Sequence, residues 1–505
     1  MWPSRRASAS ASTATTMCAS HWSRTSIAFA RRPATSSAFL PPAPKPGRRS
    51  KPSAPAPDLA GYFDANIDRD VMNSPLRLGI AGLGTVGASL GRLIETRAEA
   101  LANKAGRAIR TTAVCARDRS RDRGFDSSGL AWFDDPVKLA AEADIDVFVE
   151  LIGGSEGPAL DSVKAALNRG LPVVTANKAL LAHHGVTLAR LAARKKTEIL
   201  FEAAVAGGIP IVKTMREALV GNDVSRVYGI LNGTCNYMLT RMEKEGIAFD
   251  ACLADAQRLG YAEADPTFDI GGFDAAHKLA ILTSLAFGCE LDLESVFIEG
   301  IETVTNDDIA AAAELGYRIK LLAVAMRTDT GIEQRVHPAM IPADSALARV
   351  DGVTNAVAVD SDLLGSILLA GPGAGGEATA SAVLSDIMDV AGGTLRPTLG
   401  MPAANLAPYK RARMRAHEGG YYIRLSVLDR VGAFASIARR MAESKISLES
   451  IVQRRRDETA DASIAPVVLV THETTEAAVR KALEMVSKDG HLSGEPKMIR
   501  IEALD

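Results

Sequence analysis

The sequence LRLGIAGLGTVG, residues 76–87, decides the fold of this chain. Its first half is an apolar strand, and its second half is a GxGxxG turn that opens a helix predicted to run to about Asn103. In this context the three glycines allow a tight turn, a close approach to a pyrophosphate and close packing of helix on strand. The helix N-terminus adds free N–H groups and a partial positive charge. Glycine-rich turns also occur for packing alone, but this context favours dinucleotide binding. The predicted contacts are Gly82, Gly84, Thr85, Val86 and Gly87.

Strands and helices alternate after this turn. Further strands are predicted at 109–116, 145–151 and 172–175, and a helix at Pro158–Asn168 separates the last two. Alternation with helices of this length indicates a parallel, doubly wound sheet of the Rossmann type. We therefore predict an α/β protein whose dinucleotide-binding domain spans residues 72–204.

Two further regions follow that domain. Residues 205–400 are predicted to form an α+β domain that is richer in helix, with amphipathic stretches at 249–259 and 274–287. Residues 401–419 are polar and basic, as is typical of a linker. The predicted order strand, helix, strand, strand, helix, strand over residues 420–505 indicates a ferredoxin-like module. This module is short enough to be a regulatory appendage.

The composition is that of an ordinary globular protein. The chain has 505 residues, which is room for about three domains of roughly 150 residues. Its 58 basic and 60 acidic side chains leave a formal charge of −2, which argues against a surface for nucleic acid. No apolar run approaches the ~20 residues of a membrane span. The five scattered cysteines show no zinc-type spacing, so a reducing compartment, the cytoplasm, is expected.

The N-terminal residues differ in composition from the rest of the chain. Residues 1–57 contain no Asp or Glu and are rich in Arg, Ser, Ala and Pro, so they cannot form a core. The same composition is typical of an organelle transit peptide. We favour a disordered or spurious extension over residues 1–71, because Met72 lies immediately before the strand that opens the first domain.

Charged residues follow the ends of two predicted strands. Arg117 could accept a 2′-phosphate, which favours NADP, whereas the adjacent Asp118 keeps NAD possible. A solvated charged loop is the alternative for both residues. Lys178 follows the strand at 172–175, at the edge where open α/β sheets bind ligands. Without the glycine turn, an exposed lysine at a strand end would be the default interpretation.

The densest group of charged residues lies in GYAEADPTFDIGGFDAAHK, residues 260–278. A proline and two glycines predict a loop, after which Asp274 begins a helix that carries Lys278 four residues later. A pair at this spacing is usually a solvent-exposed salt bridge of little energetic value. Here Glu263 and Asp269 precede the pair. Carboxylates beside a lysine at the start of an apolar helix suit a zwitterionic substrate.

Four other residues are given no chemical role. His183 and His184 have no third metal ligand in view, and His277 is interpreted as a helix-surface residue. Cys235 has no recognisable histidine partner nearby, so it is interpreted as a small buried side chain.

With these motifs assembled, residues 72–505 resemble the homoserine dehydrogenases that carry a C-terminal ACT domain. The matching motifs are GLGTVG from Gly82, VELIGG from Val149, TANKALLA from Thr175, FEAAVAGGIPI from Phe201, GILNGTCNYML from Gly229, the acidic motif from Gly260 and GPGAGGEATASAVLSDI from Gly371. The acidic motif is highly specific. The turn DRVGAF from Asp429 resembles that of ACT domains, although Val431 stands where a proline is common.

The resemblance implies reversible hydride transfer between NAD(P)H and L-aspartate 4-semialdehyde, which gives L-homoserine. It implies that Lys278 is the acid/base for the substrate oxygen, that Lys178 assists it near the nicotinamide, and that Asp274 positions Lys278. Glu263 and Asp269 would hold the amino end of the substrate. Further implied contacts are Thr234 for the substrate, and Arg117, Lys178, Gly373 and Gly375 for the coenzyme.

The resemblance also implies ligands and partners outside the reaction. A structural sodium ion would bind Glu202 and the backbone of Val205, Gly207 and Ile209. An amino acid, with L-threonine favoured, would act as an effector at the ACT domain, and the chain would form a homodimer or homotetramer.

Two alternative functions are less consistent with the sequence. An amino-acid sensor that has lost hydride transfer predicts decayed motifs around Lys278, and the sequence shows none. Aspartate-semialdehyde dehydrogenase chemistry needs a cysteine activated by a histidine.

Overall fold

The computed structural model describes residues 74–412, 418–453 and 464–504. The predicted extension over residues 1–71 lies outside these ranges, as does the stretch 413–417 of the predicted linker. The described chain forms a six-stranded and an eleven-stranded sheet. None of the helices in these ranges is long and apolar enough to cross a membrane.

The first sheet is built by the N-terminal third of the described chain. Its strands are β1 (Leu76–Ala81), β2 (Ile109–Cys115), β3 (Ala131–Phe133), β4 (Val147–Glu150), β5 (Val173–Thr175) and β6 (Ile199–Leu200). Its helices are α1 (Thr85–Thr96), α2 (Ala98–Ala105), α3 (Pro136–Glu142), α4 (Pro158–Asn168) and α5 (Lys178–Arg194). The strands are parallel and have the order β3-β2-β1-β4-β5-β6. This is the Rossmann order, so the predicted doubly wound fold is confirmed.

Both faces of this sheet are buried, which explains why its strands are almost wholly apolar. In β4, Val147 and Val149 join an apolar cluster with Leu90 of α1. Phe148, which points to the opposite face, joins a different cluster with Leu160 of α4. Helices therefore cover both faces, and the ends of β1 and β4 remain the open switch point at which such folds bind ligands.

The second region combines helices with long antiparallel strands. Its strands are β7 (Val224–Ile230), β8 (Phe297–Ile298), β9 (Tyr317–Thr328), β10 (Gly331–Pro342), β11 (Thr354–Ser361) and β12 (Gly365–Pro372). Its helices are α6 (Ile211–Lys213), α7 (Gly233–Glu245), α8 (Phe249–Arg258), α9 (Thr267–Ile270), α10 (Phe273–Phe287), α11 (Asn306–Glu314) and α12 (Gly376–Ala391). The antiparallel order is β12-β11-β7-β9-β10. Helix α10 packs across β7, β9 and β10.

This region contains more strand than the sequence predicts. Apart from Lys320, the run IKLLAVA at 319–325 is apolar and does not alternate, because both faces of β9 are buried. Leu321 and Ala323 pack in the cluster that includes α10, whereas Leu322 and Val324 pack on the opposite face. Periodicity alone does not distinguish such a strand from a buried helix.

The C-terminal module has the predicted order of elements and one additional short strand. Its strands are β13 (Glu418–Leu428), β14 (Leu448–Gln453), β15 (Ile464–Thr471), β16 (Thr474–Thr475) and β17 (Lys497–Ile501). Its helices are α13 (Ala433–Glu443) and α14 (Glu476–Lys488). Strand β13 lies between β15 and β17, and β14 pairs with β15. The ferredoxin-like prediction is confirmed.

This module continues the sheet of the second region. Strand β17 pairs in parallel with β10, where Ala339 is opposite Arg500 and Met340 is opposite Ile501. The backbone N–H of Glu502 extends the pairing by donating to the Met340 carbonyl at 2.9 Å. Backbone hydrogen bonds therefore join the module to the second region. Residues 401–412 of the predicted linker also pack on the second region. Met401 is partly buried there, and Ala403, Leu406 and Ala412 are buried.

Buried ion pairs reinforce the junction. Asp308 of α11 is 1% exposed and accepts hydrogen bonds from Arg424 Nε at 2.6 Å and from the Tyr422 hydroxyl at 3.1 Å. Arg500 is equally buried and contacts Glu476 at 2.8 Å and Glu299 at 3.4 Å. Removing one partner of such a pair leaves an uncompensated buried charge, which costs about 3–5 kcal/mol. The two parts therefore depend on each other for stability.

Candidate active site

The glycine turn after β1 is shaped to admit a phosphate. Gly82 has φ of 101°, and a Cβ there would meet the Leu151 carbonyl oxygen at 2.3 Å. A Cβ at Gly87 would meet the Gly82 oxygen at 2.1 Å, so the helix can approach the turn only without a side chain. A Cβ at Gly84 would meet nothing within 4 Å, and no side chain caps α1 there. The free N–H groups of α1 can therefore receive an anionic group over Gly84.

A cavity of about 580 Å³ extends from this turn into the second region. Val86 and Lys178 line its side nearest the first sheet, and Asp269, Asp274 and Lys278 line the opposite side. The remaining walls come from the loops at 203–207, 232–234, 259–261 and 372–375. This volume is within the range of about 300–1,000 Å³ that is common for small-molecule sites.

Asp274 is the centre of the charged group in this cavity. It is 5% exposed, and its Oδ2 accepts a hydrogen bond from Lys278 Nζ at 2.7 Å. Its Oδ1 lies 3.0 Å from Lys178 Nζ. Burial alone would raise the pKa of Asp274, but the two ammonium groups outweigh it and hold this pKa well below its usual range. The pair is therefore not the exposed salt bridge that is usual at this helical spacing, because α10 begins inside the protein.

Asn232 connects the two carboxylates of the cavity and was missed by the sequence analysis. Its side-chain N–H groups donate to Asp269 Oδ1 at 2.9 Å and to Asp274 Oδ2 at 3.0 Å. Its oxygen accepts from the Cys235 backbone N–H at 2.8 Å and caps α7. The local signal was present, because an asparagine before a helix is a typical N-cap. Burial raises the pKa of Asp269, although the Asn232 hydrogen bond opposes this rise.

The two lysines differ in their access to the cavity. The Lys278 side chain is 10% exposed, and its Nζ also donates to the Leu231 carbonyl at 2.7 Å. The Lys178 side chain is 34% exposed and begins α5. Both amines contact the Asp274 carboxylate, so a polar group that enters the cavity can accept hydrogen bonds from both of them.

Some of the other predicted site residues line the cavity, and some do not. Thr234 lines the cavity, and its hydroxyl donates to the Tyr261 carbonyl at 2.6 Å. Gly373 and Gly375 form the wall opposite the glycine turn. Glu263 is exposed and does not line the cavity. Arg117 is exposed just after β2 and does not line it either.

Comparisons with known proteins agree with this geometry. The family model described as "Homoserine dehydrogenase" matches residues 210–388, and "Homoserine dehydrogenase, NAD binding domain" matches residues 82–202. The ACT domain model matches residues 421–485. A homoserine dehydrogenase of Neisseria gonorrhoeae is 41% identical over 85% of this chain and 99% of the relative.

The chain belongs to the homoserine dehydrogenase family.

Solved structures of the family share the fold. A homoserine dehydrogenase from Thiobacillus denitrificans is 42% identical, covers 86% of this chain and 99% of its own, and has a TM-score of 0.80. A hyperthermophilic archaeal homoserine dehydrogenase in complex with NADPH is 28% identical, covers 62% of this chain and 97% of its own, and has a TM-score of 0.54. The protein is thus an oxidoreductase with an NAD(P)-binding domain and an ACT domain.

A second buried carboxylate organises the strand ends beside Lys178. Glu150, at the end of β4, is fully buried, and its Oε1 accepts the N–H groups of Ile152 at 2.7 Å and Gly153 at 3.0 Å. Its Oε2 accepts from the Thr175 hydroxyl at 2.6 Å. Asn177 caps α5 through Leu180 and also donates to the Gly154 carbonyl at 2.7 Å. This network holds the loop after β4 against the N-terminus of the helix that carries Lys178.

The residues predicted for sodium lie in the turn that contributes Gly207 to the cavity wall. The Glu202 carboxylate accepts the N–H groups of Val212 at 2.9 Å and Lys213 at 2.8 Å, so it caps α6. Burial raises the pKa of this carboxyl. The Ile209 carbonyl accepts from Ile211 N–H at 2.8 Å, and Gly207 has φ of 55°. No group of three or more His, Cys, Asp or Glu side chains in the described ranges could hold a metal ion.

His277 belongs to a group of aromatic rings that contacts Lys178 through Phe268. Its interpretation as a surface residue is wrong, because it is only 9% exposed and faces the rings of His183 at 5.4 Å and Phe268 at 5.3 Å. The Phe268 ring also lies 5.7 Å from Lys178 Nζ. Burial, with His183 and Lys178 nearby, lowers the pKa of His277 to about 4. The imidazole is therefore neutral at physiological pH.

We predict that His277 makes the protein less stable in acid. Between pH 6.5 and pH 4 the unfolded chain takes up a proton at this histidine that the folded chain resists, so the free energy of unfolding falls as pH falls. The full effect is at most ~3 kcal/mol. Urea unfolding of wild type and His277→Gln across this range measures it.

The matched control for this measurement is the exposed His472, and His472→Gln should keep the wild-type slope of stability against pH. His277→Gln should flatten that slope. Equal slopes in wild type and His277→Gln would show that His277 titrates normally in the folded protein.

Proposed function

We propose that the chain catalyses the reversible oxidation of L-homoserine to L-aspartate 4-semialdehyde with NADP or NAD. The observation that carries this proposal is the contact of two lysines, Lys178 and Lys278, with the one buried carboxylate of Asp274 in a cavity that begins at the dinucleotide turn. A bound nicotinamide would supply the hydride chemistry that interconverts the carbinol carbon of homoserine and the aldehyde carbon of the semialdehyde.

Lys278 acts as the acid/base in this proposal. In reduction its ammonium donates a proton to the aldehyde oxygen as the hydride arrives, and in oxidation its amine takes the hydroxyl proton. Lys178, which reaches the same carboxylate from the coenzyme side, donates a second hydrogen bond to that oxygen. Asp274 positions both amines, because it accepts from each of them.

The substrate's amino end is held by carboxylates. Asp269 lines the cavity beside Asp274 and is a suitable acceptor for an ammonium group. Glu263 is exposed at the rim, so its contact with the ammonium requires the loop at 260–266 to turn inward when substrate binds. Thr234 keeps its hydroxyl oxygen available as an acceptor, because its proton is donated to Tyr261.

The coenzyme is held by the glycine turn and the wall of Gly373 and Gly375, and we favour NADP. Arg117 follows β2, where a 2′-phosphate would lie. Positive charge also surrounds a cleft of about 370 Å³ beside Gly84, which Arg92, Arg121 and Arg123 line. Arginine is well suited to bind phosphate through charge-assisted hydrogen bonds.

A structural sodium ion completes the proposal. The carbonyl oxygens of Val205 and Gly207 accept no hydrogen bond within the described ranges, although both belong to the turn that faces Gly373. Unpaired carbonyls in a tight turn are suitable oxygen ligands for a hard cation. Glu202 and the Ile209 carbonyl, which already accepts the Ile211 N–H, would add to them. The ion would hold this turn in place against the coenzyme wall.

Regulation by an amino acid, with L-threonine favoured, is proposed at the ACT turn around Gly432. Val431 and Phe434 of this turn are exposed large apolar side chains. A second copy of the module that covered the turn would bury them, which supports a homodimer or homotetramer.

We predict that Lys278→Ala lowers kcat by about 10²-fold to 10⁴-fold, because the variant loses a positioned acid/base. Binding of NADPH, followed by its fluorescence, should stay within about twofold, since Lys278 acts on the substrate oxygen and not on the phosphates. Lys138→Ala, on the exposed face of α3, is the matched control and should keep full activity. A Lys278→Ala enzyme with more than half the wild-type rate would refute the assignment.

A second variant pair tests the coenzyme assignment. Arg117→Ala should raise KM for NADP far more than KM for NAD, because only NADP carries the 2′-phosphate. Arg121→Ala reports on the neighbouring cleft in the same assay. If Arg117→Ala changes both constants equally while Arg121→Ala is selective, then Arg117 is a solvated residue and the cleft binds the phosphate.

A further inference from the structure

A second cavity lies at the junction between the ACT module and the second region. Its volume is about 470 Å³, which is again in the range of small-molecule sites. One side is formed by the loop at 299–304 and by Asp308 of α11, and the other side by α14 and the start of β17. It shares no residue with the catalytic cavity or with the turn around Gly432.

The wall of this cavity is divided between apolar and charged groups. The apolar part consists of side chains from both parts of the chain: Val304, Pro338, Leu483, Met498 and Ile499. Lys497 lines the cavity and is half-buried. Its ammonium has no hydrogen bond or ion pair with another residue in the described ranges. Arg480, the other cation of the lining, is already held by Glu476 at 2.6 Å.

Acceptors complete the lining. Glu495 is exposed at the rim, and its carboxylate has no ion pair with any described residue. The hydroxyl groups of Thr303 and Ser487 are also exposed there without partners among the described residues. The carboxylates of Glu299, Asp308 and Glu484 also line the cavity, but they are paired with Arg500, Arg424 and Lys488. The cavity thus offers one unpaired cation, one unpaired anion, two hydroxyls and an apolar wall. This set matches a zwitterion with a short hydrocarbon side chain.

We propose that this cavity binds an α-amino acid with an aliphatic side chain. Its carboxylate would contact Lys497 Nζ, its ammonium would face Glu495, and its side chain would cover the apolar wall. The site is distinct from the effector site proposed at the Gly432 turn. Binding at this site does not depend on the proposed function, whereas its effect on KM for homoserine does.

The loop that lines the cavity also contacts the substrate loop. Ile301 N–H donates to the Ile270 carbonyl at 2.9 Å. A Cβ at Gly300 would meet that same oxygen at 2.4 Å, so the two loops are in close contact. Ile270 directly follows Asp269, whose carboxylate lines the catalytic cavity and accepts from Asn232.

A ligand that orders the loop at 299–304 therefore acts on the backbone next to Asp269. Such a ligand changes substrate affinity only if it binds differently to the substrate-bound and substrate-free forms. We expect the change to appear in KM for homoserine, because Asp269 is proposed to hold the substrate's ammonium group.

Isothermal titration calorimetry of the full chain with L-isoleucine, L-valine and L-threonine tests the site. Wild type should bind L-isoleucine or L-valine. Lys497→Met should weaken this binding at least about 10-fold, because the carboxylate loses its only free cation. Ser487→Trp should also weaken it, because an indole from the exposed rim fills the cavity without removing a buried group.

The matched control is Lys481→Met, which removes an exposed lysine of the same helix, α14, outside the cavity. The Kd of Lys481→Met for L-isoleucine should stay within about twofold of wild type. Saturating L-isoleucine should change KM for homoserine in wild type and Lys481→Met but not in Lys497→Met. The inference is overturned if no amino acid of the three binds at about 10 mM. It is equally overturned if binding survives Lys497→Met and Ser487→Trp but is lost in Phe434→Ala, since the ligand would then occupy the turn.

The proposed catalytic function can fail independently. A protein that binds L-isoleucine through Lys497 but does not oxidise homoserine would contradict the catalytic proposal and leave the binding site standing.

Discussion

Three parts of the chain meet on the carboxylate of Asp274. Lys178 reaches it from the first sheet, Lys278 from its own helix, and Asn232 from the loop before α7. A buried charge without partners costs several kcal/mol, so these elements must meet in this arrangement for the fold to be stable. The same contacts set the distance between the glycine turn and the cavity that holds Asp269, Asp274 and Lys278. The geometry of the candidate site and the packing of the two regions therefore depend on the same contacts.

The parts of the fold that depend on local signals could be predicted from the sequence. The glycine turn, the alternation of β1, β2, β4 and β5 with helices and the order of the ACT module each follow from short-range patterns. The strands over 317–372 could not be predicted, because β9 is buried on both faces and pairs on one side with β7, which is distant in sequence. Pairing across such distances leaves no periodic signature.

In the site, too, residues that belong to sequence motifs could be predicted, whereas residues that matter only through contacts distant in sequence could not. The acidic motif pointed to Asp269, Asp274 and Lys278, and all three line the candidate site. The burial of the Asp274–Lys278 pair could not be predicted from its helical spacing. Asn232 and Glu150 were missed as functional groups, because each acts through hydrogen bonds to residues that are far away in sequence. The pairing of β17 with β10, which joins the ACT module to the second region, could not be predicted from the sequence.

The most direct test of the central role of Asp274 is the kcat of Asp274→Asn, measured with saturating homoserine and coenzyme beside a urea-unfolding curve. Asparagine keeps the shape of the side chain but removes the charge that holds the two lysines. The account predicts that kcat falls by about 10²-fold or more while the folded protein still binds NADPH. A variant that folds and keeps kcat within about twofold of wild type would contradict it, because the lysines would then need no carboxylate to act.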